Sequence, residues 1–117
     1  MGVSVTKSKF TSRDQAVADI EQLKLFPRDG AMSSGDLEDI HWHTTTLRIY
    51  VLSGSFETLD VESNKLLKAS AGDLICIPDK TLHAARCPDP ATYVVGFESQ
   101  EAARTFRAEK PDDLALS

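Results

Sequence analysis

A chain of 117 residues has the length of one ordinary domain, and 41% hydrophobic with 26% charged residues is the composition of a globular protein that can bury a core without disulfide staples. Thirteen Lys and Arg against eighteen Asp and Glu leave a net charge of −5, which excludes the basic face a nucleic-acid backbone needs and gives no pull toward anionic lipid. The two cysteines, Cys76 and Cys87, form neither a disulfide framework nor a zinc-ribbon spacing, so both read as reduced, packed thiols.

The first nine residues read as a short strand or loose arm. They carry no signal-peptide apolar segment; Gly2 and Thr6 match the loose myristoylation pattern, which is short enough to match by chance, and the expected location is the cytoplasm. A helix is predicted over 13–25: Ser12 and Gln15 fit a capping box, Ala16, Val17, Ile20 and Leu23 follow at helical spacing, and Pro27 closes it. Its expected role is to cover one end of the core.

From residue 31 to 99 short runs of Val, Ile, Leu, Thr, Tyr and Phe alternate with turn residues. Strands are predicted at 36–44, 46–52, 55–61, 65–69, 74–77, 83–87 and 92–98. The breaks fall at Ser53-Gly54, Glu62-Ser63-Asn64, Ala71-Gly72-Asp73, Pro78-Asp79-Lys80 and Pro88-Asp89-Pro90. Many short strands with no helix between them indicate an antiparallel sandwich or barrel. The longest apolar runs are strand-sized, far short of the about 20 residues of a membrane helix. A second helix is predicted over 100–109, capped by Ser99 and followed by Pro111, and the stretch 111–117 reads as a frayed tail. No linker or repeat divides the chain, so 1–117 is one domain with its barrel at about 31–99.

His41 and His43 stand on the same face of a predicted strand, about 6.6 Å apart at the backbone. Their imidazoles can therefore converge on one ion at roughly 2.0–2.1 Å. Trp42 between them points the other way and packs between sheet and cover. The same alternation carries Thr45, Leu47, Ile49 and Val51 inward and Arg48 outward. The chain holds one other histidine, His83.

The spacing around these residues resembles the cupin family. Gly35, His41, His43 and Gly54 stand at the positions of the family's first motif, and Gly72, Pro78 and His83 at those of its second. Three positions depart from the pattern. Leu47 replaces the first motif's Glu, Lys80 the second motif's Gly, and Cys87 its Asn. The resemblance covers about 35–97 and implies an all-β, double-stranded β-helix (a jelly-roll barrel) with short flanking helices. It also implies a homodimer, with the N-terminal arm as a candidate swapped strand, and one divalent transition metal — Fe, Zn, Ni, Cu or Mn — held by His41, His43 and His83.

With Leu47 in place of a carboxylate, three neutral imidazoles leave the ion's charge uncompensated, which favours an anionic or chelating small-molecule ligand. The centre is similar to the three-histidine centres of cupin dioxygenases acting on thiols and β-diketones. Thr45, Leu47, Ile49 and Cys87 are the expected pocket residues. Cys87 and Cys76 are more simply apolar filler, and Tyr93 and Phe97 are core. Asp36, Glu38 and Asp39 belong on the solvent rim, unless one accepts an imidazole N–H. No acid–base pair, catalytic triad or phosphate loop is legible. Three functions are therefore expected: a metal-dependent oxygenase, a non-catalytic small-ligand module, and a metal-free isomerase-like cupin.

Overall fold

The computed structural model describes residues 2–115, in the order β1 (Ser4–Thr6), α1 (Arg13–Gln22), β2 (Phe26–Met32), β3 (Leu37–His41), β4 (Leu47–Asp60), β5 (Lys65–Ser70), β6 (Leu74–Ile77), β7 (His83–Phe97), α2 (Gln100–Thr105) and α3 (Pro111–Ala115). The part of the expected tail at 116–117 lies outside the described residues, and 111–115 is helical rather than frayed.

Every strand pairing is antiparallel. The long strands β4 and β7 lie side by side, and each serves two layers. The first part of β4 pairs with β6 and the second with β5; the first part of β7 pairs with β3 and the second with β2. Two sheets that share bent central strands roll into the antiparallel barrel expected from the sequence. The arm strand β1 pairs with β6 of its own chain.

Two of the expected turns are not turns. Ser53-Gly54 and Pro88-Asp89-Pro90 lie inside β4 and β7, where the register slips between Val51 and Ser53, Ser53 and Ser55, and Ser55 and Glu57. Turn residues here mark bulges that bend a continuous strand from one sheet into the other. Gly54 sits at the bend with φ +77°, and a Cβ there would stand 2.0 Å from the Pro90 carbonyl oxygen. Gly54→Ala is therefore expected to cost at least about 2 kcal/mol, seen as a lower urea midpoint with an unchanged slope.

β2 (Phe-Pro-Arg-Asp-Gly-Ala-Met) was not expected, because Pro27 reads only as the residue that closes the helix. It forms at the sheet edge, bonded only to β7, where Pro27 faces Gly96 and its missing N–H breaks no ladder on the free side. β1 and β2 thus start the barrel earlier than residue 31. The helix α1 ends at Gln22, before the expected 25, and Pro27 does not close it. Lys24 turns left-handed at φ +61°, the Leu25 N–H donates to Ile20 O at 3.0 Å and the Lys24 N–H to Glu21 O at 2.9 Å, which satisfies the last carbonyls. At its start Ser12 Oγ accepts from the Gln15 N–H at 3.2 Å, while Gln15 Oε1 reaches back to the Thr11 N–H at 2.8 Å.

Two apolar clusters result. Leu47, Val51, Phe56, Ile75, Ile77, Cys87, Val95 and Phe97 fill the barrel. Ala16 and Ile20 of α1 pack outside it on Tyr50, Leu74 and Val94. Tyr50 is fully buried there, donates its hydroxyl to Asp19 of α1 and accepts from Arg48 Nε at 3.2 Å. Burial and the Asp19 bond push the phenol up to about 12, so it remains a donor that pins the helix.

α2 stops at Thr105, short of the expected 109. The following residues turn extended and lie against the end of β3: the Glu109 N–H donates to Trp42 O at 2.8 Å, the Trp42 N–H to Glu109 O at 3.3 Å, and the Trp42 indole N–H to Lys110 O at 2.8 Å. Backbone groups that find partners across the barrel mouth have no need of another helical turn. This strap is what Trp42, the buried residue between the two histidines, holds down.

Candidate metal centre

His41 ends β3 directly opposite His83, the first residue of β7, and His43 follows two residues later, beyond the strand. All three are buried, at 5%, 6% and 2% exposure for His41, His43 and His83. Their ring centroids are 4.2 to 5.3 Å apart, and one nitrogen from each lies within 4.8 Å of the others.

Each Nδ1 meets a backbone carbonyl: His41 with Asp39 O at 2.6 Å, His43 with Arg107 O at 2.7 Å, and His83 with Thr81 O at 2.8 Å. A carbonyl only accepts, so each Nδ1 carries a proton and Nε2 is the nitrogen left to face a metal. The acceptors are main-chain oxygens, not the carboxylates considered from the sequence; Asp36 instead accepts the Ser33 N–H at 2.8 Å. For His43 the acceptor comes from the strap, a contact 64 residues away that local sequence cannot signal.

Burial holds His83 neutral, its pKa lowered to about 4, and lowers that of His43 as well, the neighbouring imidazoles adding to the effect. Three clustered imidazoles, each oriented by a backbone carbonyl at Nδ1, are the donor set a divalent transition metal takes. The same burial sets a pH dependence for the metal-free protein. Unfolded His83 takes a proton near pH 6.5 and folded His83 only near 4, so protonation favours the unfolded chain between them. Stability is full above about pH 6.5 and falls by on the order of 3 kcal/mol as pH drops to about 4, measurable by urea titration across that window.

His43 and His83 open onto a cavity of about 100 Å³ inside the barrel. Leu47 and Ile49 line it, with Phe56, Tyr93, Phe97 and, from the strap, Phe106, whose ring is 5.4 Å from that of His43. His41 faces a shallow groove beside Glu109 and Lys110. Of the other expected pocket residues, Thr45 is buried but outside the lining, donating to Glu98 Oε1 at 2.6 Å. Cys87 is buried lower in the barrel core with Sγ 2.6 Å from Asp89 O, and burial raises its thiol pKa. Glu38 is exposed, as expected of a rim residue, and it also lines the cavity mouth, although strand alternation from His41 puts it outside. The register slip between Glu38 and His41 reverses the alternation.

Lys80, where the resemblance expects Gly, has φ +57° and donates its N–H to His43 O at 2.8 Å. The turn keeps the conformation that glycine serves and imposes it on a lysine. Lys80→Gly is expected to raise stability by about 0.5–1 kcal/mol, read from a thermal or urea midpoint.

No protein-family model and no curated protein matches the chain. Solved structures do. An RmlC-like cupin from Shewanella frigidimarina is 21% identical with a TM-score of 0.54, covering 76% of this chain and 69% of its own. A salicylate 1,2-dioxygenase variant from Pseudoaminobacter salicylatoxidans is 11% identical with a TM-score of 0.57, covering 74% of this chain and 25% of its own. A DMSP lyase from Ruegeria pomeroyi is 24% identical with a TM-score of 0.56, covering 63% of this chain and 38% of its own.

Proposed function

We propose that this chain, whose fold is that of the cupins, is a metal-dependent enzyme of the dioxygenase type acting on a small chelating or anionic substrate. The observation that carries the reading is the trio His41, His43 and His83, each Nδ1 committed to a carbonyl and each Nε2 left to coordinate. They would hold one divalent transition ion, of the class Fe, Zn, Ni, Cu or Mn. When bound, the ion supplies a Lewis acid and a template for a chelating ligand.

The chain's own residues do the rest. Leu47 and Ile49 give the cavity an apolar wall that keeps water out, and Leu47 adds no negative charge, so an anionic ligand meets an uncompensated cation. Phe106 closes the strap side. The dioxygenase and the lyase among the similar structures both support small-molecule chemistry on this fold. A second reading, a non-catalytic module that holds a small ligand, is favoured by the mainly apolar lining. The edge strands β3 and β5 carry exposed Leu37, Ile40 and Leu66, which supports a homodimer, readable by analytical ultracentrifugation.

The test is oxygen uptake by the iron-loaded protein with a panel of thiols, diketones and hydroxybenzoates, beside elemental analysis of the protein as purified. Uptake coupled to product supports the oxygenase. A ligand bound without turnover selects the binding module, and protein devoid of metal even after loading leaves only the metal-free reading. Among the described residues no helix is long and apolar enough to cross a membrane.

A further inference from the structure

The cavity beside the histidines has one acidic wall residue, and it is there because of a bulge. Glu38 pairs with Ala85 of β7, two residues from His83 and therefore on the same face of that strand. Glu38 is exposed and belongs to no ligand cluster with the three histidines, yet it lines the mouth of the cavity that His43 and His83 open onto. Tyr93 lines the same cavity. Its ring lies over Gly30, where a Cβ would stand 2.5 Å from Cε1, so the glycine in β2 gives the ring its place. Burial and then the charge of Glu38 raise the Tyr93 phenol's pKa, which keeps it a hydrogen-bond donor and marks the two groups as electrostatic neighbours. Among the described residues neither side chain is engaged in a hydrogen bond or ion pair within the chain.

We infer that Glu38, with Tyr93 beside it, selects a small acid that carries a second polar group, a hydroxyl or ammonium able to donate to the Glu38 carboxylate. This rests on the proposed metal reading: the acid's carboxylate meets the centre at His43 and His83, and its donor group reaches the far wall. Glu38 is exposed at the cavity mouth, so a ligand with a methyl group in that position forgoes one charge-assisted hydrogen bond, and the discrimination is that of this single bond. A cavity of about 100 Å³ fits an acid of only a few heavy atoms. Of the remaining wall, Leu47, Ile49, Phe56 and Phe97 are apolar, and Thr58 adds one neutral hydroxyl.

Cobalt-loaded protein tests this by its visible absorption, titrated with three acids of equal size: β-alanine, β-hydroxypropanoate and butanoate. The expected result is that at least one of the two polar acids binds about tenfold or more tighter than butanoate. Glu38→Gln should reduce the preference for β-alanine, because the amide keeps an acceptor but loses the charge. Glu38→Leu should abolish the preference for both polar acids while leaving butanoate unchanged. A larger loss for β-alanine than for β-hydroxypropanoate in Glu38→Gln identifies the ammonium as the partner, and equal small losses identify the hydroxyl. Cobalt bound with butanoate equal to both other acids, or a preference that survives Glu38→Leu, overturns this inference and leaves the metal reading standing. A protein that takes up no cobalt overturns both.

Discussion

His83→Ala is expected to abolish stoichiometric binding of cobalt or zinc, lowering affinity by well over the roughly 100-fold that changing a residue behind a metal ligand costs. His83 is the most buried of the three imidazoles, at 2% exposure, and its ring lies close to both others, so no nearby side chain can take its place. Isothermal titration calorimetry with elemental analysis reads the outcome directly. Cys87→Ala is the matching control. Its thiol lies in the barrel core against backbone oxygens, kept protonated by burial, and a protonated buried thiol is no ligand. Metal uptake should persist in that variant with only the stability cost of a small core change. Equal metal content in wild type and His83→Ala would sink the metal reading.

The second large effect is expected from the strap. A chain ending at Thr105 keeps the strands, α1, α2 and both apolar clusters, so it should still unfold cooperatively. It loses the Arg107 carbonyl that fixes the His43 tautomer, the Phe106 ring over His43, and the Lys110 carbonyl that holds the Trp42 indole. Metal affinity should fall by about 10–100-fold, because a histidine without its acceptor must be ordered at the moment of binding. Trp42→Phe separates the two contributions: it deletes the indole bond to Lys110 and leaves the Arg107 carbonyl in the chain, so a smaller loss is expected. Titration of the truncated and substituted proteins with the same metal checks both. An unchanged affinity in the truncated chain would show that the strap only covers the site.

How much of this was legible before folding depended on how local the cause was. β5 and β6 were readable because their turns are turns and each is a short run of strand length between them, wholly apolar in β6. β4 and β7 were each split in two, because Gly54 and the Pro88-Asp89-Pro90 stretch are equally good at making a turn and at making a bulge. β2 was invisible, since its Pro, Asp and Gly are tolerated only because the strand lies at an edge, and edge position is a property of the assembled sheet. Glu38 is exposed, as expected of a rim residue, and what local alternation could not show is that a one-residue slip turns it toward the cavity mouth as well.

The sequence by itself determined that the chain would be an antiparallel β structure and that its three histidines would share one site. Hydrophobic alternation sets the first, and the spacing of His41, His43 and His83 within two separated motifs sets the second. It also determined that the site would lack a carboxylate at Leu47. Only the tertiary structure decided the tautomers, the lid and the second polar wall. Each of these is a contact between distant segments: Arg107 with His43, Phe106 with His43, and Glu38 brought round by a bulge to the cavity shared with Tyr93. Such contacts depend on register and closure, which are settled by the packing of the whole barrel rather than by any run of neighbouring residues.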